Sequence, residues 1–190
     1  MKKNKAISYI FAISFIALII LVFFVLGRSQ KEGKLKEASL EKLTEVQQVL
    51  AMDFDKEYPK TPRDVAKLHG DMTRLLYSGL EDEEIKDLAI KIRELCDKEF
   101  LSNNPEETYL NELYSDLSLW NKFNRKIEHV YTVNKDKEEN YEIDGSEYAT
   151  AYISFTIVER GKTSELRQYI MRKSGDNKWM VLGWNVIPQD

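Results

Sequence analysis

The sequence predicts an α+β fold behind a single transmembrane helix, and three observations carry that expectation. Ala6–Gly27 is a run of 22 residues without a charge, placed directly after Met-Lys-Lys-Asn-Lys. From Leu35 to Asn121 apolar residues recur at helical spacing in about four amphipathic segments. From Lys126 onward the period changes to alternation, divided by turn residues into about four antiparallel strands. Helices first and hairpin-linked strands second is the plan in which helices cover one face of an antiparallel sheet.

At roughly 1.5 Å per residue the apolar run reaches across a bilayer core of about 30 Å as a helix. It exceeds the apolar core of a cleavable signal, about 7–15 residues, and Val25-Leu26-Gly27-Arg28 is a poor cleavage context. The segment therefore reads as an uncleaved signal anchor. Cys96, the only cysteine, lies far from the run, which excludes a lipoprotein anchor. Lys2, Lys3 and Lys5 face Arg28, Lys31, Lys34 and Lys36 across the span, almost a tie by the positive-inside rule. The short Lys-rich head tips the balance toward a cytoplasmic N-terminus, residues 1–5, and an extracytoplasmic body. Residues 28–36 are then a juxtamembrane link and residues 37–190 a single exported domain.

In that domain a first helix is expected over about Leu35 to Asp55, with Leu43, Val46, Leu50 and Phe54 on one side; Pro59 and Pro62 end it. Thr61 is a natural N-cap, with Pro62 in the first turn of a second helix that runs to about Tyr77. Glu81 to Glu84 place four acids at the positive end of a third helix, whose stripe Ile85, Leu88, Ala89, Ile92, Leu95, Cys96 and Phe100 continues unbroken. Asn104-Pro105-Glu106-Glu107 resembles a capping box and starts a fourth helix to about Asn121.

The strands begin with Ile127 to Val133, where Ile127, His129, Tyr131 and Val133 share a face by simple alternation. Asn134 to Asn140 has no apolar residue and reads as a loop; Asp144-Gly145 is a hairpin signal. Ser146 to Glu159 puts Ala149, Ala151, Ile153, Phe155 and Ile157 on a packed face, with Tyr148, Thr150 and Tyr152 on a solvated one. Leu166–Lys173 and Trp179–Val186 complete the sheet, with Trp179 and Trp184 alternating to opposite faces.

The chain has 28 Lys and Arg against 32 Asp and Glu, a formal net charge of −4, and all the acids lie after Gly27. A mixed acidic surface argues against a nucleic-acid partner, which calls for a basic stripe. One cysteine makes no internal disulfide, and with two histidines it makes no zinc set, so no metal or cofactor is expected. Glycine-rich phosphate loops, Gly-x-Ser-x-Gly and His-Glu-x-x-His are absent from the sequence, and no catalytic residue is assigned. Cys96 belongs to an apolar stripe, where free cysteine behaves as a small hydrophobe. His129, with Tyr131 beside it, is the candidate for a pocket. Tyr148, Tyr152, Tyr169, Trp179 and Trp184 are the candidates for an interface, since Tyr and Trp lend themselves to one.

Three stretches carry a resemblance: Tyr141 to Ala151, Gln168 to Lys173, and Gly175 to Trp184 with its Trp-x-Val strand. Their order resembles the C-terminal sheet of small NTF2-like or cystatin-like domains of Gram-positive bacteria. The whole chain with its span also resembles uncharacterised membrane-anchored families of clostridia and their relatives. The resemblance implies a curved sheet with helices in its concavity. It also implies a non-enzymatic scaffold or docking role toward an unidentified envelope protein, by analogy with components of conjugation, secretion and sporulation machines. The alternative it implies is a small-molecule or minor enzymatic pocket inside an NTF2-like cone near His129. Oligomeric state is not addressed by any of these features.

Overall fold

The computed structural model of the protein describes residues 43–133 and 140–188. All the elements below belong to the compact unit that begins at Glu45. Five helices come first among the described residues: α1 Glu45–Leu50, α2 Pro62–Leu76, α3 Asp82–Arg93, α4 Lys98–Asn103 and α5 Glu106–Lys122. Five strands follow: β1 Lys126–Thr132, β2 Asn140–Ile143, β3 Ser146–Val158, β4 Lys162–Lys173 and β5 Trp179–Ile187.

The start of α2 follows from local chemistry. Thr61 Oγ1 accepts from the Asp64 N–H at 3.1 Å, and Pro62 supplies a residue with no amide hydrogen where the helix has no acceptor for one. The buried side of α2, including Val65, His69, Met72 and Leu76, lies across β1 and β3. Gly70 permits that approach: a Cβ there would sit 2.9 Å from Val130 Cγ1 and 3.3 Å from Ile153 Cγ2. The glycine that weakens the helix locally is the residue that lets helix and sheet meet.

The single third helix expected from the sequence is two helices. After Arg93 the backbone leaves the helix to pair with β5: the Val181 N–H donates to Leu95 O and the Asp97 N–H to Val181 O, both at 2.8 Å. Asp97 then caps α4 by accepting from the Glu99 N–H at 2.8 Å. The pairing covers part of an edge strand that would otherwise leave backbone groups unmatched.

The sheet is antiparallel in the order β1-β3-β4-β5, with β2 paired to β3 as well. Asp144 and Gly145, at φ 49° and 75°, make the tight turn between β2 and β3. Two register shifts alter which side chains face the helices. One falls between Ile127 and His129, so that Ile127 and Val130 are the buried residues of β1. The other, opposite Ile170 and Met171, skips Leu182 and leaves Val181 and Trp184 opposite Met171 and Tyr169. Trp179, Val181 and Trp184 thereby share the helix-facing side, rather than placing the two tryptophans on opposite faces.

Several expectations are corrected by this architecture. The sheet is open, with five strands and two separate edges, and does not close into the curved NTF2-like or cystatin-like cone; among the described residues the helices number five rather than about four. Among the described residues no helix is long and apolar enough to cross a membrane. The expected span, residues 6–27, lies outside the described residues, as do the boundaries at 27/28 and 36/37. The single-pass topology, the membrane as partner, the extracytoplasmic location and the envelope-scaffold role built on them therefore have no structural support. The far face of the sheet is not simply wet either. Thr150, Tyr152 and Leu166 are all buried there, with Tyr152 Oη accepting from Gln168 Nε2 at 2.9 Å.

Candidate functional site

The helix layer and the sheet enclose a cavity of about 120 Å³. Its wall is largely aromatic, with Tyr77 after α2, Phe100 of α4, Tyr109 and Trp120 of α5, and Trp184 of β5. Rings pack around it: Tyr77 lies 4.3 Å from Trp120, and Phe100 lies 5.6 Å from Trp184. Into this apolar setting the fold places three basic side chains, His69, Arg93 and Arg167.

His69 comes from the buried stripe of α2 and shares a 3.1 Å hydrogen bond between Nδ1 and Tyr169 Oη. Its ring also lies 5.2 Å from that of Trp184. Burial first, and then the positive charge of Arg167, push the imidazole down to about 3, so it is neutral at ordinary pH. Burial raises the Tyr169 hydroxyl, which keeps its proton. Arg167 stacks its guanidinium 4.2 Å from the Phe155 ring centre and donates from Nε to Glu165 Oε1 at 2.6 Å.

Arg93 differs from both. Its guanidinium lies 5.1 Å from the Tyr109 ring centre, and its Nη1 is sealed from solvent with no hydrogen-bond partner among the described residues. Cys96 completes this wall as an inert thiol, donating to Ile92 O at 3.7 Å and pushed up to about 12 by burial.

The cavity adjoins a shallower surface depression of about 490 Å³, with which it shares Tyr77, Phe100, Tyr109, Leu113 and Trp184. Asn104, Glu112 and Asp116 line that outer part, and Asp116 accepts from the Tyr77 hydroxyl. The arrangement can hold a small apolar body between rings with a polar end toward a guanidinium. His69, held neutral far below its usual range, is a weak base there near neutral pH.

A larger open cleft of about 790 Å³ lies between the Phe54–Tyr58 segment, Asp97 and the turn between β4 and β5. Its charges answer one another. Arg172 donates from Nε to Asp97 Oδ2 at 3.1 Å, from Nη2 to Asp97 Oδ1, and from Nη1 to Glu99 Oε2 at 3.0 Å. Lys173 pairs with Glu147 at 3.0 Å, and Lys178 lies 3.6 Å from Asp55. Tyr58 Oη donates to Trp179 O at 2.7 Å across the cleft floor.

The candidates named from sequence are scattered. His129 has a half-exposed side chain 3.7 Å from the Glu128 carboxylate, and Tyr131 is 52% exposed, so neither lines the interlayer cavity. The β1 register shift explains this, because it turns both away from the helices. Tyr148 is half-buried and stacked on Tyr141 at 5.6 Å, Tyr152 is buried on the far face, and Trp179 is half-buried beneath Lys173. Tyr169 and Trp184 meet, 5.8 Å apart, at the cavity. Sequence reasoning did not assign His69, Arg93 and Arg167. The available signal was polar residues in buried phase: His69 with Val65 and Met72, Arg93 four residues after Ala89, and Arg167 two residues before Tyr169.

A family model described as "Domain of unknown function (DUF6715)" matches residues 1–184. No curated protein matches the chain. Among solved structures the chain is similar to CagV, a VirB8 homolog of T4SS from Helicobacter pylori strain 26695. That match has 10% identity and a TM-score of 0.38, and covers 67% of this chain and 99% of CagV. So loose a likeness carries no argument about fold or function. These matches replace the expected resemblance to clostridial membrane-anchored families with an NTF2-like or cystatin-like sheet, which none of them supports. The chain belongs to the DUF6715 family.

Proposed function

We propose that this member of the DUF6715 family is a non-enzymatic binding domain for a small organic molecule, seated in the cavity between helices and sheet. The observation that carries the reading is the aromatic-walled cavity of about 120 Å³ that adjoins a surface depression. An apolar protein cavity of about 150 Å³ stays dry and takes up benzene, so this one suits a body of roughly that size. A few polar groups converging on an apolar hollow are the usual anatomy of a ligand site. This is a different place from the cone around His129, and it needs no closed sheet.

The non-enzymatic part rests on the groups available. Cys96 holds its proton and His69 stays neutral, so neither is poised as nucleophile or proton carrier near neutral pH.

Saturation-transfer NMR of the full-length protein with benzene tests the reading. Transfer to benzene is expected for the wild type and is lost in Leu113→Phe, which grows a ring into the hollow, while that variant keeps a cooperative unfolding transition. A wild-type protein that gives benzene no transfer would overturn it.

A further inference from the structure

We infer that the molecule this cavity takes is a small monocarboxylate, its carboxylate held by the guanidinium of Arg93. The inference rests on the cavity reading above and adds the chemistry of the ligand. Arg93 Nη1 is cut off from water and unpaired among the described residues, and an arginine does not escape by losing its proton. A buried donor left unsatisfied is costly, and on a cation more so. A trapped water satisfies the hydrogen bond, whereas a carboxylate satisfies it, opposes the charge of the half-buried guanidinium and matches its planar fork.

The rest of the wall narrows the class. Arg167 is already engaged by Glu165, and His69 is neutral, so among the described residues the uncancelled charge of the cavity is that of Arg93. Phe100 offers no donor, and Trp120 and Trp184 offer one indole N–H each, too few to replace the shell of a multiply charged, strongly hydrated oxyanion such as inorganic phosphate. Toward the mouth, Glu112 and Asp116 repel a second negative group. What remains is one carboxylate on a compact apolar body.

Butyrate and its uncharged amide, butyramide, separate the charge from the shape. Titrated by NMR against the full-length wild type, butyrate is expected to bind at least tenfold more tightly than butyramide, with succinate and inorganic phosphate at least tenfold weaker than butyrate. In Arg93→Met the butyrate preference over butyramide is expected to vanish in a variant that keeps a cooperative unfolding transition; Arg93→Lys, which keeps the charge without the fork, recovers part of it. Equal affinities for butyrate and butyramide in a wild type that still binds benzene would overturn the carboxylate assignment and leave the cavity reading standing. So would an Arg93→Met variant that retains the preference. Failure of benzene along with both butyrate probes overturns the cavity reading and this inference together.

Discussion

Two concavities flank the same break between α3 and α4, and they treat charge in opposite ways. In the open cleft, Arg172 grips Asp97 with two nitrogens and Glu99 with a third, and the neighbouring lysines lie beside carboxylates. In the interlayer cavity Arg93 presents a buried nitrogen to no acceptor among the described residues, and His69 is kept neutral by burial. The cleft spends its polar groups on holding the fold. The cavity leaves one guanidinium nitrogen of a half-buried arginine sealed and unmatched among the described residues, which a fold has no structural reason to build. A larger volume is therefore the weaker pointer to a ligand here, and the smaller hollow with unmet chemistry is the stronger one.

The comparison breaks most visibly at Asp97. Its side chain is 8% exposed, pairs with Arg172 and caps α4, so Asp97→Ala removes an ion pair and a cap together. A loss of about 3 kcal/mol is expected, since removing one partner of a buried pair strands the other and a cap adds its own share. Urea unfolding measures it. Butyrate binding by the folded fraction should be unchanged, because Asp97 belongs to the cleft.

Next in size is an acid effect that belongs to the cavity. His69 is held near 3 in the fold, below its value of about 6.5 in an unfolded chain, so the unfolded state binds the extra proton first. Stability from this group is complete above about pH 6.5 and falls by about 1.4 kcal/mol per unit as pH drops toward 3, roughly 2 kcal/mol by pH 5. Tyr169, Arg167 and Trp184 lie against the ring, and among the described residues no carboxylate pairs with it to favour the charged form. The difference between wild type and His69→Gln isolates the term, because surface carboxylates titrate alike in both. If the two denaturation midpoints run parallel from pH 7 to 5, His69 is not the neutral wall residue described here.

Gly70 tests how the layers meet. Gly70→Ala gains helix propensity of about 1 kcal/mol but puts a Cβ 2.9 Å from Val130 Cγ1, and overpacking of that kind costs about 1–3 kcal/mol. A net loss of about 1 kcal/mol is expected from thermal unfolding. A gain would mean that the helix rides higher over the sheet, and the cavity beside it would change with it.

The local parts of this fold were legible in the residues. Thr61-Pro62 announces α2, and Asp144-Gly145 announces a hairpin, because each motif satisfies its own backbone within a few residues. The pieces that build the site were not. The α3–α4 break at 94–97 depends on the edge of β5, more than 80 residues away, while the local period runs straight through it. The bulge at Leu182 is invisible to an alternation count, yet it is what turns Trp184 toward His69. Periodicity also sets polar residues aside as solvated, which passes over Arg93, a half-buried residue one turn after the buried Ala89 of α3.

The smallest expected stability effect belongs to Arg93, and its sign decides between the two concavities. If Arg93 were one more structural cation, Arg93→Met would cost stability, as removal of Arg172 would in the cleft. Instead the substitution exchanges a buried, unsatisfied nitrogen for a flexible apolar side chain that suits the aromatic wall. The lost stacking on Tyr109 and the lost favourable charge at the end of α3 oppose that gain with about 0.5 kcal/mol each. The expected result is a change within about 1 kcal/mol of zero, neutral or stabilising, by urea unfolding in ligand-free buffer. With butyrate present the order reverses, because the wild type gains stability from the ligand and Arg93→Met does not. A residue whose removal is harmless without ligand and harmful with it is placed for binding, and a loss of more than about 2 kcal/mol in ligand-free buffer would return Arg93 to the structural role that Arg172 plays.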